Sequence, residues 1–551
     1  MVFSLLLPRL CAAFLLTAGL LAGSFSVQAQ ALTKQWDKTF GGTAFDGLNA
    51  LQPTKEGGYI LSGSSASNVS NDKTQAGQGG QDYWLIKLDA SGNKVWDHSF
   101  GGNADDVLLT LQQTPDGGYI VGGYSSSDRS GDKSQPSRGG QDYWVIKLDA
   151  SGNKVWDRSF GGSAHDVLCA LQLTSDGGYL LGGESYSGLN GDRTQATRGA
   201  SDYWLIKLDA NGNKLWDRAF GGISVDKMQA LQPTLDGGYI LGGYSYSIVS
   251  GDKTQPNQGT MADYWIVKVD VSGNKLWDRT FGGTDLDWLQ TLVPTSDGGY
   301  LLGGRSFSDL GGDKTQANQG PTTTPDYWVV RLDASGNKVW DRTIGGAGYD
   351  QLHVLLPTPD SGYLLAGFSN SDISGDKTQA GKSKERHDYW LVKLDGQGNK
   401  LWDQVVGGAG IDQLYTLQPT PDGGYVAGGI SNSGVSGDKT QPSQGDFDYW
   451  VVKLGPDVVT ATEPLTASTT LSVYPNPAHN RLSVLLPAAT PRTRLHLSLL
   501  DATGRIVYQQ SLFVPSGTDL PVEVGQHSAG LYLLRVEGLD GFVATQRVVL
   551  E

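Results

Sequence analysis

Short segments of alternating apolar and polar residues recur throughout residues 34–454, separated by turns rich in glycine, asparagine and aspartate. In the second repeat these segments are residues 107–112, 119–124, 142–149 and 154–160. A period of two, combined with β-branched and aromatic residues, predicts β-strands. Because no segment carries an apolar period of 3.6 residues over about ten residues, we expect an all-β fold.

The links between the segments carry two kinds of tight turn. Thr114–Gly118 has the sequence TPDGG, in which proline presets φ and the glycines accept positive φ. Ser151–Asn153 joins the next two segments in the same way. Each repeat is therefore predicted to hold four antiparallel strands, with longer links such as residues 125–141 between the hairpins.

The repeat unit recurs seven times, about every 60 residues, and two tryptophan motifs mark it. Trp-Asp pairs begin at Trp36, Trp96, Trp156, Trp216, Trp277, Trp340 and Trp402. Asp-Tyr-Trp motifs end at Trp84, Trp144, Trp204, Trp265, Trp328, Trp390 and Trp450. Of the 15 tryptophans, Trp288 alone lies outside both series. We interpret the repeated tryptophans as packing residues rather than ligand contacts.

Four antiparallel strands per unit are typical of β-propeller blades. The array begins with a Trp-Asp segment at residues 34–40 and ends with an Asp-Tyr-Trp segment at residues 448–454. These segments are the two halves of one hairpin, and pairing them leaves no open sheet edge. We predict a seven-bladed propeller over residues 32–454, in which the N-terminal strand completes the last blade.

The repeat pattern W-D-x-x-F-G-G, D-G-G-Y and D-Y-W-[LV]-[IV]-K-L-D resembles the β-propeller repeats of secreted and surface proteins of bacteria. The resemblance covers residues 34–454 and implies the fold. It implies no particular activity, because propellers host many functions.

The N-terminus has the pattern of a secretory signal peptide. Residues 1–31 contain Arg9, an apolar run and small residues ending in VQAQA. Cys11 lies at the start of the apolar run, which disfavours the alternative of a lipoprotein anchor. Cleavage would leave Cys169 as the single thiol, so no intrachain disulfide is expected. A second run of about 20 apolar residues is absent from the sequence, and we expect no membrane span.

Residues 455–470 are rich in proline, threonine and alanine and are predicted to be a linker. Residues 471–551 alternate short apolar runs with turns, which predicts a small Ig-like β-sandwich. This tail closely resembles the type A C-terminal sorting domain of the type IX (Por) secretion system. The motif positions are Tyr474, Pro475, Asn476, Pro477, Gly504, Gly530 and Tyr532.

The resemblance of the tail implies export through the outer membrane. It also implies contact with the type IX machinery and its sortase, removal of the tail, and release or attachment at the cell surface. An adhesive Ig-like module is the alternative. The formal charge of −15, without a Lys/Arg cluster, argues against a nucleic-acid partner. We expect a secreted or surface-attached monomer.

Two sets of aspartates recur on the side of the longer links. One lies at the entrance of each innermost strand: Asp46, Asp106, Asp166, Asp226, Asp287, Asp350 and Asp412. The other lies in a Gly-Asp-Lys-Thr-Gln loop: Asp72, Asp132, Asp192, Asp252, Asp313, Asp376 and Asp438. We interpret both as structural residues that accept backbone hydrogen bonds, and we expect no cofactor. A Ca²⁺ site is the alternative, although the spacing is not that of an EF-hand.

Two positions of the innermost strand, one and three residues after the entrance aspartate, differ among the blades. Blades one to three carry Gly47, Asn49, Val107, Leu109, Val167 and Cys169. Blades four to seven carry Lys227, Gln229, Trp288, Gln290, Gln351, His353, Gln413 and Tyr415. The second set predicts a lopsided polar and aromatic pocket near the axis, suited to a sugar or another polar ligand. Neutral drift among the blades is the alternative.

The sequence assigns no catalytic residue. The seven histidines are scattered, and there is no H-E-x-x-H motif, Cys/His cluster or G-x-S-x-G motif. Paired carboxylates stay open as an alternative because their pairing is spatial. The leading hypothesis is a non-enzymatic module that binds a glycan or a protein on the face of the longer links. The alternatives are a polysaccharide hydrolase or lyase and a purely structural surface module.

Overall fold

The computed structural model describes residues 32–456, 471–485, 494–501, 506–513, 519–538 and 543–551. The predicted signal peptide, most of the predicted linker and the motif residue Gly504 lie outside these residues. The chain divides into two compact units, Met1–Val459 and Thr460–Glu551, and each is considered on its own. Over the described ranges, no helix has the length and apolar character that crossing a membrane requires.

Within residues 32–456 the first unit contains β1 (Lys34–Phe40) and 27 further strands arranged in four-stranded sheets. Blade one is formed by β2 (Asp46–Pro53), β3 (Tyr59–Ser65), β4 (Asp82–Leu88) and β5 (Lys94–Phe100). Blade two is formed by β6 (Asp106–Gln113), β7 (Tyr119–Ser125), β8 (Asp142–Leu148) and β9 (Lys154–Phe160). Blade three is formed by β10 (Asp166–Leu173), β11 (Tyr179–Ser185), β12 (Asp202–Leu208) and β13 (Lys214–Phe220).

The remaining blades repeat the arrangement. Blade four holds β14 (Asp226–Pro233), β15 (Tyr239–Ser245), β16 (Asp263–Val269) and β17 (Lys275–Phe281). Blade five holds β18 (Asp287–Pro294), β19 (Tyr300–Ser306), β20 (Asp326–Leu332) and β21 (Lys338–Ile344). Blade six holds β22 (Asp350–Pro357), β23 (Tyr363–Ser369), β24 (Asp388–Leu394) and β25 (Lys400–Val406). Blade seven holds β26 (Asp412–Pro419), β27 (Tyr425–Ser431), β28 (Asp448–Leu454) and β1.

The sheets close into a ring. Each innermost strand packs against the innermost strand of the next blade, and β26 of blade seven packs against β2 of blade one. The strand order of the last sheet is β1-β28-β27-β26, with Phe40 opposite Tyr449 and Lys34 opposite Leu454. The predicted all-β, seven-bladed propeller and its closure by residues 34–40 are confirmed.

The Asp-Tyr-Trp motif joins neighbouring blades. Tyr83 Oη donates a hydrogen bond of 2.9 Å to the backbone carbonyl of Trp144 in the next blade, and their rings lie 4.7 Å apart. The same bond recurs at every junction and ends with Tyr449 Oη donating to the carbonyl of Trp84 at 3.1 Å. All seven tryptophans of this motif are fully buried. Their interpretation as packing residues is confirmed.

The Trp-Asp motif holds the outer strand and the long link together. Asp97 accepts hydrogen bonds from Trp84 Nε1 at 3.2 Å and from the backbone N–H and Oγ1 of Thr74, both at 2.9 Å. Lys94 completes the set with an ion pair of 2.9 Å. A buried carboxylate needs such partners, because an unpaired one costs several kcal/mol, roughly 3–5. The aspartate therefore anchors the Gly-Asp-Lys-Thr-Gln loop to its blade.

The second unit is a small antiparallel β domain with two sheets. One sheet has the order β29 (Ser472–Tyr474), β30 (Arg481–Leu485) and β33 (Asp519–Glu523). The other has the order β32 (Ile506–Phe513), β31 (Arg494–Leu500), β34 (Gly530–Gly538) and β35 (Val543–Leu550). Leu482 of the first sheet and Leu497 and Val548 of the second belong to one buried apolar cluster. The two sheets thus share a core.

Candidate functional site

The long links and the entrance aspartates share one face of the propeller. Because the strands of each blade are antiparallel and adjacent in order, the tight turns fall on the opposite face. Loops held by a rigid scaffold carry function more often than the scaffold itself. This face carries features that repeat in every blade and others that break the repeat.

Each entrance aspartate accepts hydrogen bonds from the Gly-Gly turn before its own strand and from a serine of the long link. Asp46 Oδ2 accepts hydrogen bonds from the backbone N–H of Gly42 at 2.7 Å and from Ser67 Oγ at 3.0 Å. Equivalent bonds occur in the other six blades, for example from Gly408 and Ser433 to Asp412. These contacts favour the structural interpretation of this set.

The Gly-Asp-Lys-Thr-Gln loops are also tied to the backbone. Asp72 accepts from the N–H of Gly41 at 3.3 Å, and Lys133 is buried where it donates to the carbonyl of Ser127 at 2.8 Å. Across the part of the chain that is described, no group of three or more His, Cys, Asp or Glu side chains is placed to hold a metal ion. Whether Ca²⁺ binds at these loops stays a prediction to be tested.

Two buried carboxylates meet at each blade junction. Asp142, of the Asp-Tyr-Trp motif, accepts from the N–H of Arg138 at 2.6 Å through Oδ2, whereas its buried Oδ1 has no hydrogen-bond partner in the described chain. A Cβ at Gly161 would collide with that Oδ1 and lie 3.0 Å from Oδ2 of Asp166 in the next blade. Burial first, and then the neighbouring carboxylate of Asp166, raises the pKa of Asp142 to about 6.

The two variable positions lie on the innermost strands, which pack against one another around the axis of the ring. The position three residues after the aspartate is the extra residue of a β-bulge in every innermost strand, as at Cys169 and His353. A bulge re-aims a side chain relative to a regular strand. In blades one and three the side chain at this position reaches the next blade. Asn49 donates to the carbonyl of Leu108 at 2.7 Å, and Cys169 donates to the carbonyl of Met228 at 3.1 Å.

Around the variable positions of blades four to seven, side chains of blades three to seven build a continuous network, which we call the axial arc. Its members are Glu184, Lys227, Tyr244, Trp288, Arg305, Tyr349, Gln351, His353, Phe368, His387, Gln413 and Tyr415. Gln229 and Gln290 lie beside it, partly buried at the bulges of β14 and β18, and no hydrogen bond within the described chain joins them to it. Six of the eight predicted residues therefore meet in one structure.

The centre of the axial arc is a stack of rings around a guanidinium group. Trp288 stacks on Tyr244 with centroids 5.3 Å apart, and Cζ of Arg305 lies 4.1 Å from the Trp288 centroid. Arg305 Nη1 donates to Tyr349 Oη and to Gln351 Oε1. Aromatic stacking and cation–π contact fix the orientation of these side chains.

The arc continues through blades six and seven by amide and imidazole contacts. The Gln351 amide bonds His353 Nε2 at 2.9 Å, and the His353 ring lies 4.9 Å from that of Tyr415. Tyr415 Oη donates to Gln413 Oε1 at 2.7 Å, and the Gln413 amide meets His387 Nδ1 at 2.9 Å. At the opposite end of the arc, Lys227 and Glu184 pair at 3.3 Å.

Burial sets the protonation of the arc. It lowers the pKa of His353 to about 3, with a further contribution from the charge of Arg305, and it also lowers the pKa of His387. Burial raises the pKa of Tyr244 and of Tyr415 to about 12. The imidazoles and phenols are therefore neutral at pH 7, and the charged groups of the arc are Arg305 and the Lys227–Glu184 pair.

Three buried polar atoms of the arc have no hydrogen-bond partner in the described protein. They are Glu184 Oε2, Trp288 Nε1 and Arg305 Nε. Buried polar atoms are almost always paired, and leaving one unpaired costs roughly 1–3 kcal/mol. The arc therefore contains one acceptor and two donors whose hydrogen bonding is incomplete within the described chain.

Half of the arc was not predicted from the sequence. The missed residues are Glu184, Tyr244, Arg305, Tyr349, Phe368 and His387. Four of them occupy the middle position of the Gly-x-Ser sequence that ends the second strand of a blade, opposite the first variable position: Glu184, Tyr244, Arg305 and Phe368. Tyr349 and His387 directly precede an entrance aspartate and an Asp-Tyr-Trp motif. Comparing the blades at these three positions as well would have found them.

Further grooves lie on the rim between blades. Three equivalent ones have volumes of about 520, 460 and 360 Å³. Their walls contain the loop aspartate and the Asn-Lys of the next turn, as at Asp132, Asn153 and Lys154. Because these residues repeat around the ring, the grooves carry no feature specific to one side, unlike the axial arc.

Comparison with known proteins identifies the second unit. Residues 472–551 match the family model described as the secretion system C-terminal sorting domain. The tail is a sorting domain. The predicted resemblance is confirmed, and this domain implies export of the chain by the type IX system.

The motif at the start of the sorting domain is tied to its last strand. Asn476 Nδ2 donates to the carbonyl of Arg547 at 2.9 Å, and the N–H of Val549 donates to Asn476 Oδ1 at 2.8 Å. Tyr532 Oη donates to the carbonyl of Ser528 at 2.8 Å. The Pro-Asn-Pro motif and the last strand, β35, although distant in sequence, therefore form one corner of the sorting domain.

The other comparisons concern the whole chain. A curated relative, the regulatory protein FlaEY of Caulobacter vibrioides, is 23% identical over 503 residues, which cover 85% of this chain and 50% of the relative. The chain thus spans about half the length of this relative. Among solved structures, puromycin hydrolase has a TM-score of 0.42 at 11% identity, covering 81% of this chain and 60% of that one. The apocarotenoid oxygenase of Synechocystis has a TM-score of 0.34 at 12% identity, covering 70% of this chain and 97% of that one. Neither likeness assigns an activity to this chain.

Proposed function

We propose that this exported propeller is a non-enzymatic binding module whose axial arc holds a polar ligand, with a glycan as the first candidate. The observation that carries the proposal is the set of three unpartnered buried polar atoms in the described chain, Glu184 Oε2, Trp288 Nε1 and Arg305 Nε, within one aromatic network. Sugars are recognised by aromatic faces and a few fixed polar groups. The arc supplies both.

The rigidity of the arc supports binding. Each side chain of the network is held by a neighbour from another strand or blade, as Gln351 is by Tyr349 and Arg305. Ordering such groups before a ligand arrives lowers the entropy cost of binding. A purely structural role would be served better by the apolar residues that occupy the same positions in blade two, Val107 and Leu109.

A polysaccharide hydrolase or lyase is the weaker alternative. Hydrolysis of a glycoside ordinarily uses two carboxyl groups on opposite sides of the bond, about 5–10 Å apart. Among the side chains of the axial arc, Glu184 is the single carboxylate, and it pairs with Lys227. We propose further that the sorting domain directs the chain through the type IX machinery and is removed by its sortase. The monomeric propeller is then released or attached at the cell surface.

The test is a glycan array probed with the chain from residue 32 onward, followed by calorimetric titration of each hit. Trp288→Ala removes the central ring of the arc and should weaken binding at least about tenfold, or 1.4 kcal/mol. Val107→Ala, at the same strand position in blade two, should leave affinity unchanged.

Two results would contradict the proposal. Equal loss of affinity in the Trp288→Ala and Val107→Ala proteins would place the ligand elsewhere on the chain. Release of reducing ends from any arrayed polysaccharide, abolished by Glu184→Gln, would show an enzyme instead of a binding module.

A further inference from the structure

We propose that the ligand of the axial arc carries a carboxylate, as an acidic saccharide does, and that Arg305 and Trp288 bind this group. The inference rests on the proposed function and specifies its ligand. It follows from the charge balance of the arc, the contact between the two side chains that carry its unpartnered buried donors, and the chemistry of the remaining side chains.

Arg305 is a partly buried cation with no counter-ion among the described residues. Its polar contacts, Tyr349 Oη and Gln351 Oε1, are neutral, and in the described chain it forms no ion pair. The charged pair at the end of the arc offers no compensation, because Glu184 is engaged by Lys227. A cation withdrawn from water without a partner is unfavourable, so the site favours an anion.

The two unpartnered buried donors belong to side chains in contact. The guanidinium of Arg305 lies over the Trp288 ring, and Arg305 Nε and Trp288 Nε1 are the two buried N–H groups of the arc without a partner in the described chain. Two neighbouring N–H donors, one of them charged, match the two oxygens of a carboxylate. A neutral hydroxyl would leave the charge of Arg305 unmatched.

The rest of the arc fits a sugar ring better than a simple acid. Tyr244 and Tyr349 flank the guanidinium with aromatic surface, since their rings lie against Trp288 and Arg305. The unpartnered Oε2 of Glu184 is an acceptor for a hydroxyl group. Although the net charge of −15 repels an acidic ligand at long range, salt screens this effect beyond about 8 Å at physiological ionic strength.

The experiment compares matched ligands by calorimetry: trigalacturonate with its methyl ester, and glucuronate-containing array glycans with their glucose counterparts. We expect the acids to bind at least about tenfold more tightly than the neutral partners. Arg305→Gln should remove this preference, so that acid and ester bind with equal affinity. Trp288→Phe, which keeps the ring but lacks the N–H, should weaken acid binding about threefold to tenfold.

Folding of each variant is checked by its melting curve, and a second readout does not depend on any variant. Raising the salt concentration should weaken binding of the acid and leave binding of the ester unchanged. Equal affinity for acid and ester would overturn the carboxylate inference, while the Trp288→Ala result would still support the proposed function. If a peptide binds through its free C-terminal carboxylate and no acidic saccharide binds, the saccharide is the wrong class of ligand. If none of these ligands binds, both proposals are wrong.

Discussion

A chain that begins at Gly41, and therefore lacks β1, is expected to melt about 5–10 °C below the chain that begins at Leu32. Removal of β1 exposes the edge of β28 and deletes the ladder that runs from Lys34–Leu454 to Phe40–Tyr449. An exposed strand edge presents unpaired backbone groups and invites association with other chains. We expect aggregation to accompany the loss of stability.

The side chains of β1 account for much of this effect. Asp37 accepts from Trp450 Nε1 at 3.1 Å and from the N–H and Oγ1 of Thr440, both at 2.9 Å. Without Asp37 the buried indole N–H of Trp450 loses this acceptor, and the loop of Thr440 loses its anchor. With the burial of Phe40, the total is on the order of 5–10 kcal/mol.

The measurement is differential scanning calorimetry of both chains, with a synthetic peptide of residues 32–40 added to the shortened one. The peptide should reverse part of the decrease in melting temperature, and a scrambled peptide of the same composition should not. Identical melting curves for the two chains would contradict closure of the ring by β1.

The second large effect concerns pH. Six aspartates of the Asp-Tyr-Trp motif have a buried Oδ1 without a partner in the described chain, and burial raises the pKa of each to about 6 or 7: Asp82, Asp142, Asp263, Asp326, Asp388 and Asp448. Because these folded-state pKa values exceed the ordinary aspartate value of 3.8, the folded state holds these protons more tightly. Their contribution to stability is full below pH 3.8 and is lost as the pH rises through 6 to 7.

The aspartates of the Trp-Asp motif act in the opposite direction. Backbone and side-chain hydrogen bonds outweigh the effect of burial and lower the pKa of Asp97 below 3.8. Stability from these groups is present above that value and lost in stronger acid. We therefore expect the melting temperature to be highest between about pH 4 and pH 6, and clearly lower at about pH 8.

One junction provides the control for this prediction. In blade three Arg193 replaces the loop lysine and pairs with Asp202, both side chains being fully buried. Asp142→Asn should stabilise the protein at about pH 8 by about 1–3 kcal/mol and flatten the pH profile. Asp202→Asn should instead destabilise it at every pH by about 3–5 kcal/mol, because Arg193 loses its carboxylate.

Denaturant titrations at about pH 5 and about pH 8 distinguish the outcomes. Destabilisation of the protein by Asp142→Asn at the higher pH would show that the carboxylate pair is not a source of repulsion. A gain in stability at that pH with added Ca²⁺, lost in the Asp142→Asn variant, would place a cation between Asp142 and Asp166. That result would favour the metal alternative for the aspartates.

The fold was predictable because its determinants repeat. Seven copies of the Trp-Asp and Asp-Tyr-Trp motifs give the strand count, and the separated halves at Trp36 and Trp450 indicate the closure. The bulge at positions such as His353 was not predicted, since it depends on the pairing of β22 with β23 and not on a local turn signal. The carboxylate pairs were not predicted for a similar reason. Asp142 and Asp166 belong to separate motifs, and they come together only when neighbouring blades pack.

The candidate site was predictable in part, because it departs from the repeat. Trp288 and Tyr415 stand out in the innermost strand, where blades one to three carry mostly small or aliphatic residues. Arg305, the residue that determines the charge of the site, lies on the next strand, opposite Trp288. Recognising it requires knowledge of the register between β18 and β19.

A crystal structure of the propeller with an acidic trisaccharide would show whether the axial arc binds its ligand through Arg305 and Trp288. We expect a sugar carboxylate within about 3 Å of Arg305 Nε and Trp288 Nε1, with the sugar ring against the aromatic side chains of blades four to six. Saccharide density in the rim grooves beside Asp132 and Lys154, with none at the axial arc, would contradict this expectation.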